Sequence, residues 1–228
     1  ELVSPEQLYG YCRQAREIMC GEHSVGRIIA RPFIGSYPNY QRTPRRHDFS
    51  MEPPAETMLD AIQKQGLATI GVGKISDILA GRGISRHLGI NQDNEDGMRK
   101  AIATLDEDFT GLCFVNLVDF DMQYGHRRDV DGYAQAATVF DRQLDEFMAK
   151  MQEGDVLFIT ADHGCDPRAA GTDHTREYTP LLVWGKGIRA GVNLGTHPTF
   201  ADIAATITDM FDVKLATKGT SFLKEIAK

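Results

Sequence analysis

Apolar residues recur at helical spacing in several segments of the chain. Leu8, Cys12, Ala15 and Met19 follow Ser4-Pro5, a start that is typical of a helix N-terminus. A longer apolar stripe predicts an amphipathic helix over residues 130–151, and its members are Tyr133, Ala137, Phe140, Leu144, Phe147 and Met151. Shorter patterns predict helices over residues 55–65, 75–80, 94–105 and 199–211.

Dense apolar runs between these helices predict buried strands. The runs cover residues 25–30, 68–72, 111–118, 156–161 and 180–184. Buried strands that alternate with helices are typical of a mainly parallel sheet with helices on both faces. The predicted fold class is therefore α/β.

The segment from Pro32 to Pro54 follows neither pattern. It is rich in Pro, Arg, Tyr and Asn, which predicts a long loop with little regular structure. Loops of this length inside a compact protein are more often functional than idle. We place a domain boundary near Met51-Glu52-Pro53-Pro54, which divides the chain into residues 1–54 and residues 55–228.

Composition narrows the classes of function. Hydrophobic residues make up 42% and charged residues 25%, as in ordinary globular proteins, and no apolar run reaches the roughly 18 residues of a membrane span. A formal net charge of −7 argues against a general nucleic-acid binder. The N-terminus lacks both a signal peptide and a starting Met, which indicates processing or truncation. Four scattered cysteines and no secretion signal predict a cytoplasmic location.

One basic patch stands out on this acidic chain. No Asp or Glu interrupts the stretch that contains Arg27, Arg31, Arg42, Arg45 and Arg46. Such a patch suits a small anionic ligand such as a sugar phosphate, because guanidinium groups match phosphate geometry. For any single arginine, a solvated basic surface is the alternative.

Three loops combine carboxylates with imidazoles. They cover residues 119–129, 160–166 and 171–177, each at or beyond the carboxyl end of a predicted strand or in the loop that follows, where open α/β sheets bind ligands. A lone His in a loop more often makes a hydrogen bond than binds a metal. However, three of the seven histidines fall in these loops, each with an Asp nearby, which favours a metal such as Mn²⁺ or Zn²⁺. Spacing alone leaves the number of metals and the reaction open.

The same loops carry a family resemblance. Asp162-His163-Gly164 followed by the segment 171–177 resembles the alkaline-phosphatase superfamily, and the phosphopentomutases in particular. The similarity spans Leu8 to Phe222 and extends to further motifs: Val118-Asp119-Phe120-Asp121, Gly125-His126-Arg127-Arg128-Asp129, Gly26 to Phe33, Arg42-Thr43-Pro44, Arg46-His47-Asp48 and Gly73 to Asp77.

The resemblance implies a reaction and a set of ligands. The family interconverts the 1- and 5-phosphates of ribose and deoxyribose, with two manganese ions and a phosphothreonine intermediate. By resemblance, Asp121, His126 and His174 hold one metal, and Asp162 and His163 hold the other. The family's basic substrate contacts match Arg27, Arg42 and Lys74.

The resemblance also implies that part of the active site lies upstream. Residues 1–54 match the last part of a cap domain for substrate recognition, and residues 55–228 match the later half of the metal-binding core. The family's phosphorylated Thr and another metal-binding Asp precede the matched region, and Thr43, Thr160 and Thr172 do not match the nucleophile motif. We therefore expect this chain to need a missing N-terminal segment for turnover.

Two other interpretations stay open from the sequence. A metal-dependent phosphatase or a cofactor-independent phosphoglycerate mutase shares the Asp/His scaffold. Alternatively, the chain is a non-catalytic fragment that binds metal or sugar phosphate without turnover.

Overall fold

The structure is a computed structural model that describes residues 2–43 and 45–228. Pro44, from the Arg42-Thr43-Pro44 motif, lies outside the described residues. The chain divides into two compact units. The smaller contains the residues up to Ala55 together with Ser76–Arg82, and the larger contains Glu56–Ile75 and Gly83–Lys228. The cap and core roles of residues 1–54 and 55–228 stay predictions.

The smaller unit combines one helix with two antiparallel strand pairs. Helix α1 (Pro5–Ile18) begins as predicted, with the Ser4 hydroxyl accepting from the Gln7 amide at 3.2 Å. Strand β1 (Arg27–Ala30) pairs with β4 (His47–Ser50), and β2 (Phe33–Ile34) pairs with β3 (Gln41–Arg42). The strand predicted at residues 25–30 is confirmed as β1, whereas the prediction of little regular structure between residues 32 and 54 is wrong for β2, β3 and β4. Each is stabilised by a partner strand, which a local pattern does not reveal.

A three-stranded parallel sheet forms the centre of the larger unit. Strand β5 (Ala68–Val72) lies between β6 (Arg86–His87) and β7 (Gly111–Val115), and Ala68 to Val72 are in register with Gly111 to Val115. Helices α2 (Met58–Lys64) and α4 (Asn94–Thr104) pack against this sheet. Helix α3 (Ile75–Ile78) begins at the last residue before Ser76–Arg82, the segment that belongs to the smaller unit. The buried core of this region includes Leu59, Ile62, Ile70, Val72, Met98 and Ile102. A parallel sheet flanked by helices confirms the predicted α/β class.

The later strands of the larger unit form a separate pair. After α5 (Val130–Lys150), β8 (Leu157–Thr160) pairs with β9 (Leu181–Trp184) in antiparallel orientation. The connection between these two strands contains no helix, and parallel neighbours would need a crossover. Helices α6 (Ala201–Met210) and α7 (Leu223–Ile226) complete the unit.

Apolar surface remains accessible around β7 and α5. None of the 21 residues of α5, all of which the structure describes, is buried. Among the described residues, β7 pairs only with β5, and its Phe114 is exposed. Near-continuous apolar strands are typical of sheet interiors, so the sequence of β7 suits a more buried position than the one it occupies here.

No helix of the described residues combines the length and the apolar character that crossing a membrane requires.

Candidate metal centre

Asp121 lies on a π-helical turn, Phe120–Gly125, that follows β7. The exit from β7 is fixed by a buried network with the first residue of α4. The Asn94 side-chain Oδ1 accepts from the amides of Val118 and Asp119 at 2.9 Å each, and the Asn94 amide donates to Asp119 Oδ2 at 2.7 Å. This network sets the direction in which the chain presents Asp121. Single π turns inside proteins are frequent at functional sites.

The second loop folds back on itself beyond β8. The Thr175 amide donates to the Gly164 carbonyl at 3.1 Å, which brings the segment around His174 alongside His163. The imidazole rings of His163 and His174 stack, with centroids 3.6 Å apart and planes 16° from parallel. A side chain at position 164 would overlap with the Thr175 carbonyl and the Glu177 carboxylate. Only glycine therefore permits this close return of the chain.

The two loops bring one carboxylate to three imidazoles. Asp121 Oδ1 lies 3.2 Å from His126 Nε2 and 3.1 Å from His174 Nε2. Asp121, His163 and His174 each offer one ligand atom, and these atoms lie within 4.8 Å of one another. The described residues thus contain a compact cluster of nitrogen and oxygen donors at the carboxyl end of β7.

These separations fit a divalent transition metal. Metal–ligand bonds of about 2.0–2.1 Å place neighbouring ligand atoms about 3.0 Å apart in octahedral geometry and about 3.3–3.4 Å apart in tetrahedral geometry. The 3.1 and 3.2 Å separations at Asp121 Oδ1 fall in that range. A mixed imidazole and carboxylate set suits Mn²⁺ or Zn²⁺ better than Mg²⁺ or Ca²⁺.

Hydrogen bonds to backbone carbonyls orient two of the imidazoles for metal binding. His126 Nδ1 makes a short hydrogen bond to the Thr172 carbonyl, and His163 Nδ1 lies 2.9 Å from the Gly164 carbonyl. Because a carbonyl can only accept, Nδ1 must carry the proton in both rings, and in the neutral ring Nε2 keeps its lone pair. This is the usual arrangement of histidines that bind a metal through Nε2.

The five predicted metal ligands differ in how closely their side chains approach one another. The structure brings together Asp121, His126, His163 and His174, whereas the Asp162 side chain is 81% exposed and its Oδ1 lies 3.6 Å from His163 Nε2. The division of the five residues between two metals stays a prediction. His163 Nε2 lies 3.6 Å from Asp162 Oδ1, and His163 also has a ligand atom within 4.8 Å of those of Asp121 and His174.

Cys165 is a neighbour of the cluster and is not among the site residues predicted from the sequence. Its Sγ donates to Asp121 Oδ1 at 3.7 Å. Burial, with the negative charge of Asp121 as the next cause, raises the pKa of this thiol to about 11. Burial also raises the pKa of Tyr133, on the first turn of α5, and the nearby Cys165 and Asp121 add to that shift. The local signal was the position of Cys165 directly after Asp162-His163-Gly164.

The predicted basic contacts lie in different units. Lys74 Nζ lies 2.9 Å from the Met122 sulfur, next to Asp121 in the larger unit. In the smaller unit, Arg27 is 3.5 Å from Asp48, and Arg46 forms a bidentate pair with the same carboxylate at 2.8 Å. Arg42 is exposed on β3. Asp48 therefore partly neutralises the basic patch.

Comparisons with known proteins agree with a metal centre. Residues 54–215 match a family model described as "Metalloenzyme superfamily", and this range contains all five predicted metal ligands. The chain is 52% identical to "Phosphopentomutase" of Lachnoclostridium phytofermentans over 227 residues and 52% identical to that of Carboxydothermus hydrogenoformans over 228 residues. It is 51% identical to the phosphopentomutase of Acetivibrio thermocellus over 225 residues. These alignments cover 99–100% of this chain but 58% of each relative, so the chain spans little more than half the length of those proteins.

Proposed function

The chain belongs to the metalloenzyme superfamily, and from that premise we propose that it is the C-terminal part of a phosphopentomutase. The enzyme would interconvert the 1- and 5-phosphates of ribose or deoxyribose. The observation that carries the proposal is the approach of Asp121, His163 and His174 to within 4.8 Å in a chain that is about half identical to phosphopentomutases. The relatives' shared name favours this reaction over phosphate hydrolysis or phosphoglycerate isomerisation.

Two divalent metals, Mn²⁺ by resemblance, are proposed for this centre. Asp121, His126 and His174 would hold one, and Asp162 and His163 the other. When bound, such ions neutralise charge on a transferring phosphoryl group and orient it. Within this chain, Nδ1 of His126 and of His163 holds its proton toward a backbone carbonyl, which keeps each Nε2 available to the metal.

Three basic residues are proposed to bind the sugar phosphate. Lys74 supplies a positive charge beside the turn that carries Asp121. Arg27 and Arg42 can each offer parallel N–H donors to phosphate oxygens. Arg27 lies 3.5 Å from Asp48, close enough for a weak ion pair but longer than the 2.8 Å contacts that Arg46 makes with that carboxylate. A phosphate could therefore draw Arg27 away at low cost.

The nucleophilic Thr and a further metal-binding Asp are proposed to lie in an N-terminal segment beyond this chain. The 42% of each relative that the chain does not span is the basis for that segment. The accessible edge of β7 and the absence of a buried residue among the described residues of α5 support a core that another segment completes. On this view residues 1–54 are the remainder of the cap, residues 55–228 are half of the core, and the chain alone is inactive. A cytoplasmic location is part of the same proposal.

Metal titration and product analysis together test the function. Isothermal titration with Mn²⁺ should show binding to this chain, and the His174→Ala variant should lose it. His23→Ala is the matched control, because His23 is exposed and lies in the smaller unit. The longer protein that contains this chain should convert ribose 1-phosphate to ribose 5-phosphate, and the chain alone should not.

Three results would contradict the proposal in different ways. Release of inorganic phosphate in place of ribose 5-phosphate would indicate a phosphatase. Turnover by the 228-residue chain alone would show that it needs no further segment. Metal binding by a longer protein that transfers no phosphoryl group would favour a non-catalytic role.

A further inference from the structure

Cys165 contacts the candidate metal centre without being one of the proposed ligands. Its thiol donates to Asp121 Oδ1 at 3.7 Å, the same oxygen that faces His126 and His174. Cys165 belongs to the loop that follows β8, whereas Asp121 belongs to the turn that follows β7. The thiol therefore joins the two loops that supply the ligands.

The fit between these loops is close. The thiol lies against Gly125, where any side chain would overlap with the Cys165 sulfur. Gly125 ends the π-helical turn that begins at Phe120, and it immediately precedes His126. Contact at both Asp121 and Gly125 places Cys165 against two points of the same turn.

We propose that Cys165 is a positioning residue, whose thiol holds the Asp121 carboxylate in the orientation that faces His126 and His174. This inference rests on the metal site of the proposed function. A carboxylate oxygen has two lone pairs, so Oδ1 can accept from the thiol and still bind a cation.

A thiol suits this position because it is a weak donor. In neutral His126 the Nε2 lone pair faces Asp121 Oδ1 at 3.2 Å, which disfavours their approach until a cation lies between them. The S–H group of Cys165 compensates part of this repulsion and holds the carboxylate in place. A cationic donor such as Lys would compete with the metal for the same oxygen, whereas a thiol withdraws little charge.

Mn²⁺ titration of matched variants tests the role of the donor. Cys165→Ala should weaken Mn²⁺ binding about 10-fold, the lower end of the range for partners that orient a metal ligand. Cys165→Ser keeps a donor of similar size and should stay within about 3-fold of the unchanged chain. Cys20→Ser, which removes an exposed thiol in the smaller unit, should leave the affinity unchanged.

A cobalt spectrum separates positioning from direct ligation. If Cys165 acts through Asp121, the Co²⁺-loaded chain should show no thiolate-to-metal charge-transfer band. A band that disappears in Cys165→Ser would make Cys165 a ligand and would overturn the positioning role.

A metal-free measurement tests the hydrogen bond itself. The infrared S–H stretching band of Cys165, isolated by subtracting the spectrum of Cys165→Ser, should move to higher frequency in Asp121→Ala. It should stay in place in Asp162→Ala, whose side chain is exposed. A band that does not respond to Asp121→Ala would overturn the inference.

The outcomes distinguish this inference from the function on which it rests. Equal Mn²⁺ affinities of the unchanged chain and Cys165→Ala would overturn the positioning role and leave the metal site standing. No Mn²⁺ binding by the unchanged chain would overturn the metal site and the positioning role with it.

Discussion

Asn94→Ala should destabilise the larger unit through two backbone groups. The Asn94 side chain is buried, and its Oδ1 accepts from the amides of Val118 and Asp119 at 2.9 Å each. Alanine removes the acceptor and leaves both amides without it in a buried region. Each unpaired buried donor costs about 1–3 kcal/mol, so the two together cost about 2–6 kcal/mol.

Part of this cost is offset within the same side chain. Asn94 Nδ2 is buried and has no hydrogen-bond partner among the described residues, and alanine removes that unpaired group as well. We therefore expect the free energy of unfolding to fall by about 2–4 kcal/mol. The substitution also releases the exit of β7, so Mn²⁺ affinity should fall because the turn that carries Asp121 loses its anchor.

Urea denaturation of Asn94→Ala measures this effect. With an m-value of about 2 kcal/mol/M, the midpoint should shift down by about 1–2 M with m unchanged. Asn193→Ala is the matched control, because its Oδ1 also accepts from a backbone amide, that of Gly195, but at an exposed position. The control should change stability by less than about 0.5 kcal/mol. Equal midpoints for the two variants would show that the buried amides of Val118 and Asp119 do not depend on Asn94.

Three further predictions concern acid stability, loop closure and metal binding. A hydrogen bond from the Thr220 amide, followed by contact with His197, lowers the pKa of Asp202. The stability that this carboxylate provides is present above the ordinary Asp pKa and is lost as the pH falls through the lowered pKa. In urea unfolding, Asp202→Asn should therefore flatten the loss of stability with acid below the ordinary Asp pKa. Gly164→Ala should lower the free energy of unfolding in urea by about 1–3 kcal/mol and weaken Mn²⁺ binding in calorimetry. Gly154→Ala is the control, because no atom lies within 4 Å of the added carbon, and it should change neither quantity. In thermal unfolding, Mn²⁺ at about 100 times its Kd should stabilise the chain by about 2.7 kcal/mol, and an unchanged midpoint would contradict metal binding.

Long apolar patterns predicted most of the regular elements, but not the way in which they pair. The strand at Ala68–Val72 and the helix starting at Val130 lie where periodicity placed them. Strand β1 was predicted, but β2, β3 and β4 were missed because strands of two to four residues are stabilised by pairing with another strand, which a local pattern does not show. The antiparallel pairing of β8 and β9 depends on a helix-free connection that strand patterns alone do not reveal.

The role of Asn94 shows how tertiary contacts override local signals. Asp93 and Asn94 stand at the start of the helix predicted over residues 94–105, and both residue types are common N-caps. In the structure Asp93 caps the helix by accepting from the Asp96 amide at 2.7 Å, which leaves the Asn94 side chain to hold the exit of β7. The contact between the Asn94 side chain and the exit of β7 is visible only in the three-dimensional structure.

The prediction of the candidate metal site depended on residue type more than on the spacing of residues. Paired Asp and His residues in three loops indicated a metal, and a family resemblance was needed to select the ligands. The local signal for Cys165 was its position directly after Asp162-His163-Gly164, and the contact of its thiol with a carboxylate appears only once the two loops meet. A lone cysteine in a sequence is more often an inert buried residue.

Anomalous diffraction from Mn²⁺-soaked crystals of this chain would locate the metal relative to Asp121 and His174. We expect a peak about 2.2 Å from Asp121 Oδ1 and from Nε2 of His174, with the imidazoles of His126 and His163 facing the same centre. Manganese bound elsewhere, with no density between Asp121 and His174, would contradict it.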